Sequence, residues 1–280
     1  MASAEPINYH YEKLYGQGEN AADIVLAMVP LHARVLELGA GPGSITRRLK
    51  AERASSVTAV ELEASFLPHL APHCERVIQA NLNEPAWVSE VGEERFDTLV
   101  AADVLEHLNR PQDLLRACEA LLKSEGCLVI SLPHIGHAVI HACLMDEDFE
   151  YRDAGLLDNT HVRFFGLKNM QALVEGAGFK VVDAVFVSRA PEDTEYADRW
   201  HQAPDDLKAA VLRNPHATVY QCVLRAVRVS APGQALDLMS LAGHAPRVTP
   251  LMQVNRLLKR MLPEGLYRLC RRAYGAVLKA

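Results

Sequence analysis

The chain has 280 residues, of which 49% are hydrophobic and 23% are charged, and its formal net charge is −6. This composition suits a globular protein with a full core, and it excludes a disordered chain or a fibrous repeat protein. The sequence has neither a run of eighteen apolar residues nor a basic-then-apolar N-terminus. We therefore expect neither a transmembrane helix nor a signal peptide, and we predict a cytoplasmic location.

Short apolar strands and amphipathic helices alternate along the chain. Strands are predicted at 33–38, 57–61, 76–81, 96–102, 126–133, the end of 169–188, and 219–229. Between the fourth and fifth strands, the apolar spacing of 110–126 predicts a helix that stops at Gly126. This alternation predicts an α/β fold built on a doubly wound, mostly parallel sheet of seven strands.

Two segments depart from the alternation of strands and helices. Residues 189–206 are rich in proline and charge, and they are predicted to form an insertion between the last two strands. Residues 251–280 carry seven basic side chains against one acidic side chain, a net charge of +6, which leaves the rest of the chain at −12. We predict one domain over 1–230 and a basic, amphipathic, helical extension over 231–280.

A glycine-rich loop follows the first predicted strand. The pattern E-x-G-x-G-x-G runs from Glu37 to Gly43, and Ser44 stands where a dinucleotide-binding turn would have its third glycine. The glycines allow positive φ and a close approach of a ligand to the backbone. A buried carboxylate at Glu37 needs a partner, which a cationic ligand or backbone N–H groups would supply.

The acidic residue followed by a GxGxG loop resembles the first motif of the class I S-adenosylmethionine-dependent methyltransferases. Further matches follow at the predicted ends of the next three strands, at Glu61, at Asn81 and at DVLEHL (103–108). The resemblance implies that Glu61 binds ribose hydroxyls and that Asn81 faces the adenine. The cofactor-binding residues that it implies are Glu37, Gly39, Ala40, Gly41, Gly43, Glu61, Leu62, Asn81, Leu82, Asp103 and Val104.

Two further segments bear on the methyl acceptor. The segment DVLEHL is similar to methyltransferases of the quinone-biosynthesis type, whereas GLLDNTHVRFFG (155–166) resembles a motif of bacterial methyltransferases associated with glycan and polysaccharide biosynthesis. In that family motif, Pro-Asn usually stands where this chain has Pro133 and His134. The polar residues after the fifth strand are expected at the carboxyl edge of the sheet, where open α/β sheets bind ligands.

Transfer to a hydroxyl requires alignment of donor and acceptor and removal of a proton, a task that suits histidine near neutral pH. The favoured base candidates are His161 and His137, with His107 and His134 as further candidates. Arg163 is predicted to bind an anionic acceptor such as a sugar phosphate. We expect no resident metal, because no CxxC pair occurs among the six cysteines and Asp158-Asn159 is only a weak Mg²⁺ alternative.

The leading hypothesis is an S-adenosylmethionine-dependent enzyme that methylates a hydroxyl of a sugar or glycan-related acceptor, which would be small or lipid-linked. The alternatives are a quinone-type or other small-metabolite O-methyltransferase, and a non-catalytic S-adenosylmethionine-binding scaffold in a glycan-assembly complex. Residues 251–280 would pack on the domain, form a dimer contact or touch the inner face of a membrane. The acidic character of EDFEYRD (147–153) argues against a nucleic-acid partner.

Overall fold

A computed structural model describes residues 20–246 of the chain. The amphipathic segment 251–280, with its predicted membrane or dimer contact, lies outside the described residues. Within 20–246, no helix is both long enough and apolar enough to span a bilayer. The five cysteines of this range are free thiols, as predicted.

Seven strands form one sheet in the order β3-β2-β1-β4-β5-β7-β6. The strands are β1 Arg34–Leu38, β2 Ser56–Glu61, β3 Arg76–Gln79, β4 Phe96–Ala102, β5 Leu122–Pro133, β6 Phe179–Ser188 and β7 Val219–Arg228. Pairings among β1 to β5 are parallel, and β7 runs antiparallel to both of its neighbours. The predicted doubly wound, mostly parallel sheet is therefore confirmed.

Helices cover both faces of the sheet. The helices within 20–246 are α1 Ala21–Met28, α2 Ser44–Arg53, α3 Leu67–Leu70, α4 Trp87–Val91, α5 Pro111–Leu121, α6 Ala138–Met145, α7 Leu167–Glu175, α8 Ala197–Gln202 and α9 Asp205–Val211. Helices α1 and α2 share a buried core with one face, and α4, α5 and α7 share a second core with the other. Alternation along β1 explains this division, because Leu36 and Leu38 face the second core while Val35 faces the first.

The predicted helix over 110–126 is too long at its C-terminal end. Helix α5 ends at Leu121, and Leu122 already pairs with Phe96 of β4. The side chain of Arg228 donates to the backbone carbonyls of Glu119 and Leu122, which would otherwise lack helical partners at this end. Gly126 therefore lies inside strand β5 and does not stop the helix.

The insertion between β6 and β7 builds a small core of its own. It contains α8 and α9 and extends to residue 218, beyond the predicted 189–206. Tyr196 and Trp200 pack there with the apolar residues of α6 and with Leu156 and Leu157. The insertion thereby supports the segment that carries the GLLDNTHVRFFG motif. After β7, Leu238 packs into the large core, and its amide donates to the side chain of Gln171.

Candidate active site

The glycine loop lies at the point where the strand order reverses, between β1 and β4. Gly39, Gly41 and Gly43 all have positive φ, at 66°, 54° and 85°. The amides of Gly39 and Ala40 donate to the carbonyl of Val60, which ties the loop to β2. Ligands of open α/β sheets bind beside such a reversal of strand order.

Two of the three loop glycines differ in what surrounds them. A Cβ placed on Gly39 would lie 2.8 Å from Cγ2 of Val104, so the loop packs directly against the residue that follows β4. A Cβ placed on Gly41 would have no described heavy atom within 4 Å, apart from its own chain neighbours. Gly41 therefore borders open space, in which a ligand could contact the backbone directly.

Two carboxylates flank the loop at the ends of β1 and β2. Oε2 of Glu37 accepts a hydrogen bond from the hydroxyl of Thr46 at 2.6 Å. Burial raises the pKa of Glu37 to about 8, with the nearby charge of Glu61 raising it further and the Thr46 hydrogen bond opposing the shift. Oε2 of Glu61 accepts from the amide of Gly41 at 2.7 Å, and Oε1 accepts from the amide of Glu63 at 2.8 Å.

Three more of the predicted cofactor residues lie around the ends of β2 and β3. Leu62 and Asn81 line a cleft of about 300 Å³ together with Trp87. Asn81 donates to Glu84 and accepts from the amide of Asn83, so its amide orientation is fixed. Leu82 packs against the large core. The cleft combines apolar side chains with a few polar ones, as small-molecule sites usually do.

Asp103 begins the DVLEHL segment in an unusual conformation. Its φ is 55°, and its Oδ1 accepts from the hydroxyl of Ser131 at 2.7 Å and from the side-chain amide of Gln221. Ser131 lies in β5 and Gln221 lies in β7, so these contacts fix the exit of β4 against the adjacent strand β5 and the next strand, β7. A non-glycine residue with positive φ persists only where its surroundings hold it.

The two motifs that sequence reasoning could only name separately are in direct contact. The amides of Val162 and Arg163 both donate to the carbonyl of Glu106, at 2.9 and 3.0 Å. The rings of His107 and His161 lie edge to face with their centroids 4.8 Å apart. DVLEHL and GLLDNTHVRFFG therefore form one polar site beside Val104.

Glu106, which sequence reasoning did not single out, lies at the centre of this site. It is 1% exposed, and burial raises its pKa well above the usual value, with the charges of Asp103 and Asp158 acting in the same direction. Burial also lowers the pKa of His161, an effect that His107 reinforces and Asp158 opposes. The sequence signal for Glu106 was its position, three residues after Asp103 and next to His107.

The other predicted acceptor-site residues lie elsewhere. Both ring nitrogens of His137 are engaged: Nδ1 accepts from the amide of Val139 at the start of α6, and Nε2 lies 2.9 Å from the carbonyl of Arg189. Burial lowers the pKa of His137 to about 4. His134 is also buried, with Nδ1 at 3.1 Å from the carbonyl of Val219. These two histidines thus make contacts that are typical of structural residues.

The side chains of Arg163, Asp158 and Asn159 belong to the same segment but contact partners other than the histidine pair. Arg163 is exposed, and its guanidinium donates to the carbonyl of Asn109 at 2.8 Å. Oδ1 of Asp158 accepts from the amide and the hydroxyl of Thr160, whereas Asn159 donates to Asp153. Asp158 and Asn159 therefore have different hydrogen-bond partners.

An aromatic row leads from the protein surface to the histidine pair. Tyr151 is 53% exposed, and its ring packs edge to face on Phe149, which packs in the same way on Phe164. Phe164 in turn lies 6.3 Å from His161, centroid to centroid. The row provides an apolar wall beside the polar site.

Comparison with known proteins agrees with this fold. The Methyltransferase domain family matches residues 13–184, which is more than half of the chain. The chain belongs to this family, and it is an S-adenosylmethionine-dependent methyltransferase of class I.

Individual relatives are distant. A ubiquinone biosynthesis O-methyltransferase of Coxiella burnetii is 23% identical over 165 residues, which cover 58% of this chain and 70% of the relative. A protein of the same name from Xanthomonas campestris pv. campestris is 32% identical over 114 residues, covering 39% of this chain and 47% of the relative. A chain from the complex of the Haloferax volcanii Trm112 methyltransferase activator has a similar fold, with a TM-score of 0.51 and 14% identity over 76% of this chain and 90% of that one.

Proposed function

We propose that this methyltransferase transfers the methyl group to a hydroxyl group of a small, ring-shaped polar acceptor, with a sugar or glycan-related molecule as the first candidate. The observation that carries this proposal is the convergence of Glu106, His107 and His161 immediately beyond Val104. Val104 contacts the glycine loop, so a polar acceptor at the three side chains would lie beside the donor. Such proximity is the main requirement of methyl transfer.

The residues around the loop fit S-adenosylmethionine. Glu37 offers a buried carboxyl to a cationic ammonium group, and Glu61 retains lone pairs for ribose hydroxyls. Ala40 and Gly43 belong to the same loop, and the cleft lined by Leu62 and Asn81, beside Leu82, would receive the adenine. When bound, S-adenosylmethionine supplies an electrophilic methyl group on a positively charged sulfur.

The acceptor side of the proposal rests on His107 and His161. A hydroxyl that approaches them would meet groups able to take its proton as the new bond forms. His137 is a weaker candidate, because both of its ring nitrogens already contact backbone groups. Arg163 is exposed near the same segment, where it would attract an anionic acceptor without touching the reacting oxygen.

A phenolic acceptor of the quinone type is the second candidate. The aromatic row of Tyr151, Phe149 and Phe164 favours an acceptor with a flat ring, since offset and edge-to-face ring contacts are stabilising. Two relatives are named ubiquinone biosynthesis O-methyltransferases, which agrees with this candidate. A sugar would instead place its C–H face on the row and its charged substituents toward Arg163.

The first test is binding of the donor. Calorimetry with S-adenosylmethionine and S-adenosylhomocysteine should give micromolar affinity for the intact chain and little binding for Glu61→Ala. Glu63→Ala is the matched control, because it removes the same charge from an exposed neighbour and should retain affinity. Absence of binding by the intact chain would contradict the proposed function.

The second test identifies the acceptor. The enzyme is incubated with S-adenosylmethionine that carries a deuterated methyl group, and the products are analysed by mass spectrometry. One set of acceptors contains nucleotide sugars and lipid-linked glycans, and the other contains catechols and quinol precursors. A mass gain in the first set supports the leading proposal, and a gain confined to the second set replaces it with the phenolic alternative. A chain that binds the donor but methylates neither set would contradict both.

A further inference from the structure

Three metal-binding side chains converge at the exit of β4. Glu106 and His107 belong to the turn after the strand, and His161 comes from the segment that packs on that turn. One ligand atom from each lies within 4.8 Å of the others. We call these three residues the Glu106 cluster.

Two atoms of the Glu106 cluster are buried without a hydrogen-bond partner. Oε2 of Glu106 and Nδ1 of His161 have none among residues 20–246. Buried polar atoms are almost always paired, and an unpaired one costs about 1–3 kcal/mol. Two such atoms on side chains that converge favour a ligand at the Glu106 cluster.

The ring of His107, the third residue of the cluster, is oriented by contacts of its other nitrogen with Thr160. Nδ1 of His107 lies 3.2 Å from the carbonyl of Thr160 and 3.1 Å from its hydroxyl. That hydroxyl donates to Oδ1 of Asp158, so it accepts from Nδ1, and the lone pair of the ring lies on Nε2. Histidines that bind metals are usually held in this way by a backbone carbonyl or a carboxylate on the other nitrogen.

We propose that Glu106, His107 and His161 bind a divalent first-row transition metal ion, such as Zn²⁺ or Mn²⁺. Two imidazoles and one carboxylate suit these ions, whereas Mg²⁺ and Ca²⁺ prefer oxygen ligands. Ligands at 2.0–2.1 Å from a tetrahedral ion lie roughly 3.4 Å apart, so the side chains would close by about 1.5 Å. The carboxylates of Asp103 and Asp158 add negative charge that favours a cation at this position.

The role of the ion rests on the proposed function. Three protein ligands leave at least one coordination position open, and a hydroxyl bound there loses its proton more readily. With the ion bound, His107 and His161 act as ligands and not as bases, so the proton leaves to solvent. The oxygen lone pair forms the new O–CH₃ bond, and the electron pair of the broken C–S bond stays on sulfur as a neutral thioether. The ion is neither oxidised nor reduced, and no further reactant is needed.

The test measures metal binding directly. The full-length chain is stripped with a chelator, dialysed, and titrated with Mn²⁺ by electron paramagnetic resonance and with Zn²⁺ by calorimetry. We expect one ion per chain, with affinity reduced on the order of 100-fold or more in Glu106→Gln and in His161→Ala. His141→Ala is the matched control, because it removes an exposed histidine of α6 outside the cluster, and it should bind like the wild type.

Donor binding to the same samples separates this inference from the proposed function. Glu61→Ala should lose S-adenosylmethionine and retain the ion, while His161→Ala should do the reverse, which also shows that both variants are folded. Failure of every acceptor to be methylated, with the ion still bound through these residues, would contradict the function and support the site. Absence of both ions from the wild type at millimolar concentration, or equal binding by wild type, Glu106→Gln and His161→Ala, would overturn the site.

Discussion

The carboxyl group of Glu37 is a protonation site beside the glycine loop, in the proposed donor pocket. Its pKa is raised to about 8, first by burial and then by the charge of Glu61, so it is mostly protonated at pH 7. A cationic ligand beside it would favour the charged form and lower this pKa. Binding of the donor should therefore be coupled to release of a proton from Glu37.

This coupling predicts that close to one proton is released per S-adenosylmethionine bound at pH 7. Calorimetry in two buffers with different ionisation enthalpies measures the number released. Glu37→Gln should bind more weakly and release no proton from this position. Thr46→Val removes a hydrogen bond that lowers the pKa, so its release should persist to higher pH than in the wild type. Equal binding enthalpies in both buffers for the wild type would refute the coupling.

In the glycine loop, substitutions at Gly39 and Gly41 should affect stability and donor binding to different extents. Alanine at either position adopts a left-handed backbone, which costs roughly 1–2 kcal/mol. Gly41→Ala meets open space, so we expect that loss alone, together with a marked loss of donor affinity. Gly39→Ala also places a methyl group 2.8 Å from Val104, so it should lose about 1 kcal/mol more of the free energy of unfolding.

A double-mutant cycle tests the cause of that extra loss. Val104→Ala removes the side chain that Gly39→Ala would meet, so the two changes together should cost less than the sum of their separate costs. The expected coupling is on the order of 1 kcal/mol, measured by urea unfolding. The same cycle with Gly41→Ala should be additive. Additivity at Gly39 would show that contact with Val104 does not limit the loop.

The elements also show how far the sequence could predict this molecule. Apolar runs located all seven strands. The central strands are buried on both faces and need little context to be recognised, and the partly exposed edge strands β3 and β6 still carry short runs of apolar residues. The end of α5 was misplaced, because Leu122 is drawn into the sheet by pairing with Phe96, a contact that local spacing does not reveal. The contact between Glu106 and the amides of Val162 and Arg163 was also beyond reach, since it joins residues more than fifty positions apart.

At the scale of the whole molecule, two buried groups give opposite dependences of stability on pH. The native pKa of Glu37 is raised, so its contribution is present below its unfolded value of 4.5 and is lost as the pH rises through about 8. The native pKa of His137 is lowered, so its contribution is present above 6.5 and is lost as the pH falls through about 4. Between about pH 4.5 and 6.5, the two groups change the free energy of unfolding in opposite directions, so their effects offset each other.

Replacement of His137 isolates its contribution to the pH dependence of stability. His137 is fully buried at the start of α6 and is surrounded by the cationic or protonatable His134, His141 and Arg189. His137→Asn retains a side chain able to cap α6 but does not titrate. A shift from 6.5 to about 4 corresponds to roughly 3 kcal/mol, so the stability advantage of the wild type over this variant should shrink by about that amount between pH 7 and pH 4. Urea unfolding across this range measures the difference, and parallel curves for the two proteins would mean that His137 accepts a proton without cost in the folded state.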